Sequence, residues 1–167
     1  MRSGIWPRPT WSSTRWIEVE HQTHFVTGTA APCTGIFKPV WLDADLPDTG
    51  PAPSGTYDTP LHGAAALFWR HEALHRATLR DYAARMAQYK SERDALEKRL
   101  VEGALACRDG PPSERANCSA HWFAEADEAE ARWLERVTAQ QLTSRLGLLH
   151  TTAWRGFNRA AQMPVNS

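Results

Sequence analysis

Hydrophobic and polar positions change their rhythm near residue 61, and that change divides the chain. Before it, residues 11–42 favour strands: Trp16-Ile17-Glu18-Val19-Glu20 alternates apolar with polar, and the 24–30 and 34–42 runs follow. Val26 to Leu42 reads as two short β-strands joined by a turn containing Pro32 and Gly35. After residue 61 the spacing is helical. On a wheel of about 100° per residue, Leu67, Leu74, Thr78 and Tyr82 share one side of a stretch over 62–82. Arg76 and Arg80 lie opposite, with Arg70 at the edge of the apolar side. Met86, Tyr89, Leu96, Leu100 and Cys107 mark a second stretch over 83–107 with Arg93 in the same stripe, and no breaker separates the two. Asp94 precedes Lys98 by four residues, the favourable order for a helix ion pair.

Cys107 to Ser113 contains Gly110, Pro111 and Pro112 and predicts a stop. A helix from about Ser119 to Gln141 follows, with Trp122, Ala126, Ala129, Trp133 and Val137 as its apolar stripe. Its acidic residues come early and Arg132 and Arg136 late, as the helix dipole prefers. A short helix around Thr152–Ala161 closes the pattern. The expected class is therefore α+β: short antiparallel strands over about 12–42, a Pro/Asp-rich connector over 43–61, and a helical region over 62–162. Pro47, Pro51, Pro53 and Pro60 exclude a helix from the connector.

Composition narrows the function without naming it. Nineteen basic residues balance nineteen acidic ones, so no net field recommends nucleic acid or an anionic membrane as partner. No apolar run approaches the roughly 18 residues that would span a bilayer. Eight tryptophans spread along the chain point to several packed layers rather than one aromatic patch. Three cysteines at no metal-like spacing, without a hydrophobic leader, imply a reduced cytoplasmic setting.

Two segments are candidates for chemistry. His71-Glu72-Ala73-Leu74-His75 has the H-E-x-x-H form in which two histidines one turn apart share Zn²⁺ and the glutamate acts as base. Against it, Arg70 and Arg76 flank the motif and no following histidine supplies a third ligand. His71, Glu72 and His75 are therefore read as packed or hydrogen-bonded helix residues, and no metal or other cofactor is expected. Thr27, Gly28 and Thr29 could present hydroxyls and bare backbone to a substrate pocket, although threonines are also common in sheets. Lys38 is either a pocket cation or, more plainly, an exposed lysine on an edge strand. Cys33 sits in a turn with no histidine beside it to activate it, while Cys107 and Cys118 read as packing.

Thr27-Gly28-Thr29-Ala30-Ala31-Pro32 leading into Phe37-Lys38-Pro39-Val40 resembles the T-G-T-x-x-P and F-K-P-V stretches near the C-terminus of the secernin-like dipeptidases. Phe68-Trp69-Arg70-His71-Glu72-Ala73-Leu74-His75 is similar to that family's W-x-H-E-x-L-H helix, and Trp154 to Arg159 to its tail. The likeness runs from about Thr23 to Met163. It implies the C-terminal piece of a four-layer αββα hydrolase whose N-terminal cysteine is the nucleophile. That cysteine has no counterpart here, because the chain begins Met1-Arg2 and its first cysteine is Cys33. No catalytic residue is carried across. The resemblance implies small peptides as substrates of the complete enzyme, and an unpaired strand edge through which this piece self-associates. Two alternatives stand beside it: a non-catalytic helical interaction module, and the zinc peptidase.

Overall fold

The computed structural model describes residues 22–29, 31–51, 55–57, 66–143 and 147–163. Two antiparallel strands, β1 (His24–Val26) and β2 (Lys38–Val40), precede five helices: α1 (Leu67–Leu79), α2 (Tyr82–Met86), α3 (Lys90–Cys107), α4 (Pro112–Ala139) and α5 (Leu148–Ala160). The chain is thus α+β, mainly helical, with a two-stranded sheet in register His24↔Val40, Phe25↔Pro39 and Val26↔Lys38. The strand alternation at 16–20 lies outside the described residues.

Both predicted strands are much shorter than the 24–30 and 34–42 runs suggested. The chain between them is tied into a turn instead. Thr34 donates through both its backbone N–H and its hydroxyl to the Ala31 carbonyl, at 3.1 Å each. Residues 43–51 and 55–57 carry neither helix nor strand.

The single helical run foreseen over 62–107 is three helices, and the breaks are set by tertiary ties. Asp81 leaves helical geometry (φ −157°, ψ 71°) because its carboxylate accepts from both the backbone N–H and the hydroxyl of Thr143. Arg85 donates to the Ala77 and Gln140 carbonyls, closing the α1–α2 corner. Tyr89 breaks the second junction, with φ −138°, to lay its ring against Trp133 at 5.1 Å between centroids.

α4 begins at Pro112, seven residues before the expected start, because proline suits the first helical position. Cys118 therefore lies inside the helix. The main core joins α1, α3 and α4 through Leu74, Leu96, Leu100, Ala126, Trp133 and Val137, and Ile36 enters it from the strand region. Each such large side chain contributes about 1.5–3 kcal/mol on burial. Gly103 lets α3 approach α4 closely, since a Cβ there would collide with the Trp122 indole. Arg115 on α4 is wholly buried and donates to the Arg108 and Gly110 carbonyls and to Asp43, fastening the start of the connector to the α3–α4 turn.

Several surface expectations are corrected. Asp94 pairs with Lys90 and Arg93, and Lys98 pairs with Glu102. Arg76 does not lie on a solvent face: it bonds Glu72 and Asn158 and stacks between the Trp69 and Trp154 rings at 5.7 Å from each. Tyr82, placed on the buried side by the wheel, is exposed because α2 turns away from the axis of α1. Ile36 and Trp41 anchor the strands, whereas Phe25 and Phe37 remain partly exposed. α5 starts at Leu148, four residues earlier than the pattern indicated.

Candidate functional site

The turn between the strands folds onto α1, and the two sequence candidates meet there. Thr34 Oγ1 lies 3.2 Å from His71 Nε2 and 3.2 Å from His75 Nδ1. Histidines four apart on one helix face bring both rings to a single hydroxyl, and the rings stack at 6.4 Å. His71 Nδ1 faces Glu130 Oε1 of α4 at 3.2 Å, with both residues buried. A hydroxyl, an imidazole and a carboxylate are thus in line, linking turn, α1 and α4.

One hydroxyl has one proton, and this fixes the arrangement. With that proton directed to the Ala31 carbonyl, both imidazole nitrogens satisfy the oxygen by donating to it. His71 then donates from Nε2, so the contact between Nδ1 and Glu130 is satisfied by one further proton held between them. Burial lowers the His75 pKa from its ordinary value; Glu72 opposes the shift, and His71 and Arg76 add to it. Thr34 is itself fully buried, which suits a structural bolt rather than a nucleophile.

For the zinc reading, the geometry is unfavourable at each named residue. His71 and His75 direct nitrogens to Thr34, and Glu72 turns to Arg76 at 2.8 Å. Among the described residues no group of three or more His, Cys, Asp or Glu is placed to hold a metal ion.

The substrate-pocket candidates gather on the other side of the turn. Thr27 and Thr29 hydroxyls are 3.1 Å apart, and both crowd Gly35, where a Cβ would stand 3.0 Å and 3.2 Å from them and 3.3 Å from the His71 ring. Glycine at 35 is what lets the two threonines close over the His71 bolt. Thr27, Gly28 and Lys38 line a cleft of about 510 Å³ whose other walls include Val26, Val40, Leu67, Phe68 and Phe123. Thr29 does not line it and belongs to the turn contacts instead.

Lys38 is the principal correction. It is not an exposed edge lysine but a completely buried one, because β2 is covered by α4. Ser119 of α4 donates to the Pro39 carbonyl at 3.0 Å, using a strand position from which proline can accept but not donate. The Lys38 ammonium donates to the Ile36 carbonyl at 3.4 Å and stands 5.6 Å from the centre of the Phe123 ring. Near it, Arg70 pairs with Asp127 at 2.7 Å. Burial raises the Asp127 pKa, with Glu130 adding to the rise and Arg70 and Lys38 opposing it.

Asp127, Glu130 and Phe123 are the site residues that sequence reasoning missed. They were taken only as parts of an amphipathic helix, and their i, i+4 and i, i+3 spacing was the available signal. The cysteines lie elsewhere in role: Cys33 is exposed, and Cys118 is buried with its thiol pushed up to about 12 by burial and by the neighbouring Cys107.

Among the described residues no helix is long and apolar enough to cross a membrane. Comparison with protein families, curated proteins and solved structures finds no match to this chain.

Proposed function

We propose that this chain is the C-terminal part of a secernin-like dipeptidase, where it forms one wall of the substrate pocket and braces the sheet of an αββα hydrolase. The observation that carries the reading is the cleft itself. The T-G-T and F-K-P-V stretches on which the resemblance rests are brought side by side by the Val26↔Lys38 pairing, and Thr27, Gly28 and Lys38 look into one cavity. A mostly apolar cleft with a few converging polar groups is the usual form of a small-molecule site.

In the complete enzyme, the thiol of an N-terminal cysteine attacks the dipeptide amide carbon while its own α-amino group takes the proton. The amine half leaves, and water hydrolyses the thioester. The residues of this chain orient the peptide; none of them is the nucleophile.

The test is complementation. The chain is co-expressed with the cysteine-led N-terminal part of a secernin-like dipeptidase from which the corresponding C-terminal segment has been removed. The expected result is hydrolysis of dipeptides by the mixture and by neither part alone. Failure of a folded mixture to hydrolyse a broad dipeptide panel, or turnover by this chain alone after all its cysteines are alkylated, overturns the reading.

A second reading, a non-catalytic helical interaction module, is favoured by α5. Its Leu148, Leu149 and Phe157 are exposed on an amphipathic helix, a form that suits helix-in-groove binding. A folded chain that fails complementation while capturing a partner through α5 would support it.

A further inference from the structure

We infer that the cleft beside β2 receives a small molecule with an apolar body and a single carboxylate, and that the Lys38 ammonium is the group that takes the carboxylate. The inference deepens the pocket reading above, and rests on it for the choice of an apolar dipeptide, bound by its C-terminal carboxylate, as the natural occupant. A free aliphatic acid has the same chemistry and is the other source.

The argument is a count of charge. Arg70 and Asp127 form one neutral pair at 2.7 Å. His71 and Glu130 form a second: with Thr34 directing its proton to Ala31, the imidazole and carboxylate hold one extra proton between them and sum to zero. Lys38 remains. Its ammonium has three protons, and its hydrogen bond among the described residues is to one neutral carbonyl at 3.4 Å. A buried cation without a carboxylate of its own is costly, and a ligand anion is what relieves that cost.

Size and lining set the rest of the ligand. A volume of about 510 Å³ suits a small molecule, and Val26, Val40, Leu67 and Phe123 offer it hydrocarbon and aromatic surface. Two carboxylates would overcharge the site, and a polar body would leave its groups unpaired against those walls. Lys38 has no exposed surface, so the occupant shifts a cleft side chain to reach it and meets the ammonium away from water.

Calorimetric titration of the chain tests this with four probes: the dipeptide Leu-Phe, octanoate, and the methyl ester of each. The expected result is saturable binding of at least one acid, with its ester at least tenfold weaker. Lys38→Met should level acid and ester, and Lys38→Arg should keep their order. The acid–ester comparison on the unchanged chain stands even where a variant fails to fold. Binding of Leu-Phe supports the inference together with its dipeptide occupant. Binding of octanoate alone supports the Lys38 site but removes the dipeptide from it, so the dipeptidase reading falls separately. Esters that bind as tightly as acids, or no binding of either acid, overturn the inference.

Discussion

Thr34 shows how much one side chain can hold in a chain with so little sheet. Its hydroxyl contacts the Ala31 carbonyl and two imidazoles, so its loss strands buried polar groups on two elements. Thr34→Val keeps the shape and removes the oxygen. We expect it to cost about 1–3 kcal/mol, read as a lower urea midpoint with an unchanged slope. His75 gives this site a pH dependence of definite sign. Its folded value lies below its ordinary 6.5, so the unfolded chain binds the proton more readily. The stability tied to neutral His75 is complete above that ordinary value and is lost as pH falls toward the lowered one. Melting temperature should therefore decline between about pH 7 and pH 5, and His75→Gln should flatten that slope. Asp127 acts in the opposite sense. Its raised value returns stability as pH falls through it toward 3.8, so the decline should level off at the acid end.

At the level of elements, stability is divided unevenly. α3 and α4 pack along Leu96, Leu100, Ala104, Ala126, Trp133 and Val137, all buried. β1 has three residues, two of them exposed, and pairs with a single strand. Strands this short and this few do not hold themselves in water, so β1 depends on what β2 and the turn are bolted to. Hydrogen exchange should be slow across 96–104 and 123–137 and fast across 22–29. β2 should lie between these, because α4 covers it and Ser119 holds its Pro39 carbonyl. Protection of β1 equal to that of α4 in a monomer would mean that the strand has partners beyond β2.

For the whole molecule, the question is what lies against the sheet. Phe25, Val26, Phe37, Leu42 and Leu46 are all exposed around the strands and the start of the connector. On the fragment reading this surface faces further layers of a larger hydrolase, and in isolation it promotes association of the chain with itself. Sedimentation should show mass rising with concentration. Phe25→Lys should reduce that rise without lowering the urea midpoint of the helical core, since Phe25 stands clear of the core. A chain that stays monomeric at high concentration would count against the unpaired edge.

Local chemistry determined a good deal of this protein from the sequence. The apolar spacing of Leu96 and Leu100, and of Ala126, Trp133 and Val137, placed the cores of α3 and α4, because a 3.6-residue period puts such residues on one face whatever they pack against. Prolines and glycine set the α3–α4 turn, and alternation placed strands near 24–26 and 38–40. The tertiary structure alone decided the rest. Nothing local breaks the helix at Asp81, where the pull comes from Thr143, 62 residues away. Nothing local buries Lys38, whose covering helix begins at Pro112, or turns Arg76 inward between two tryptophans. The His71 motif showed the same limit: sequence could place two imidazoles on one helix face, but the Thr34 hydroxyl and the Glu130 carboxylate that engage them arrive from distant segments. Charge and hydrogen bonding act through space, and only the folded chain brings those partners within reach.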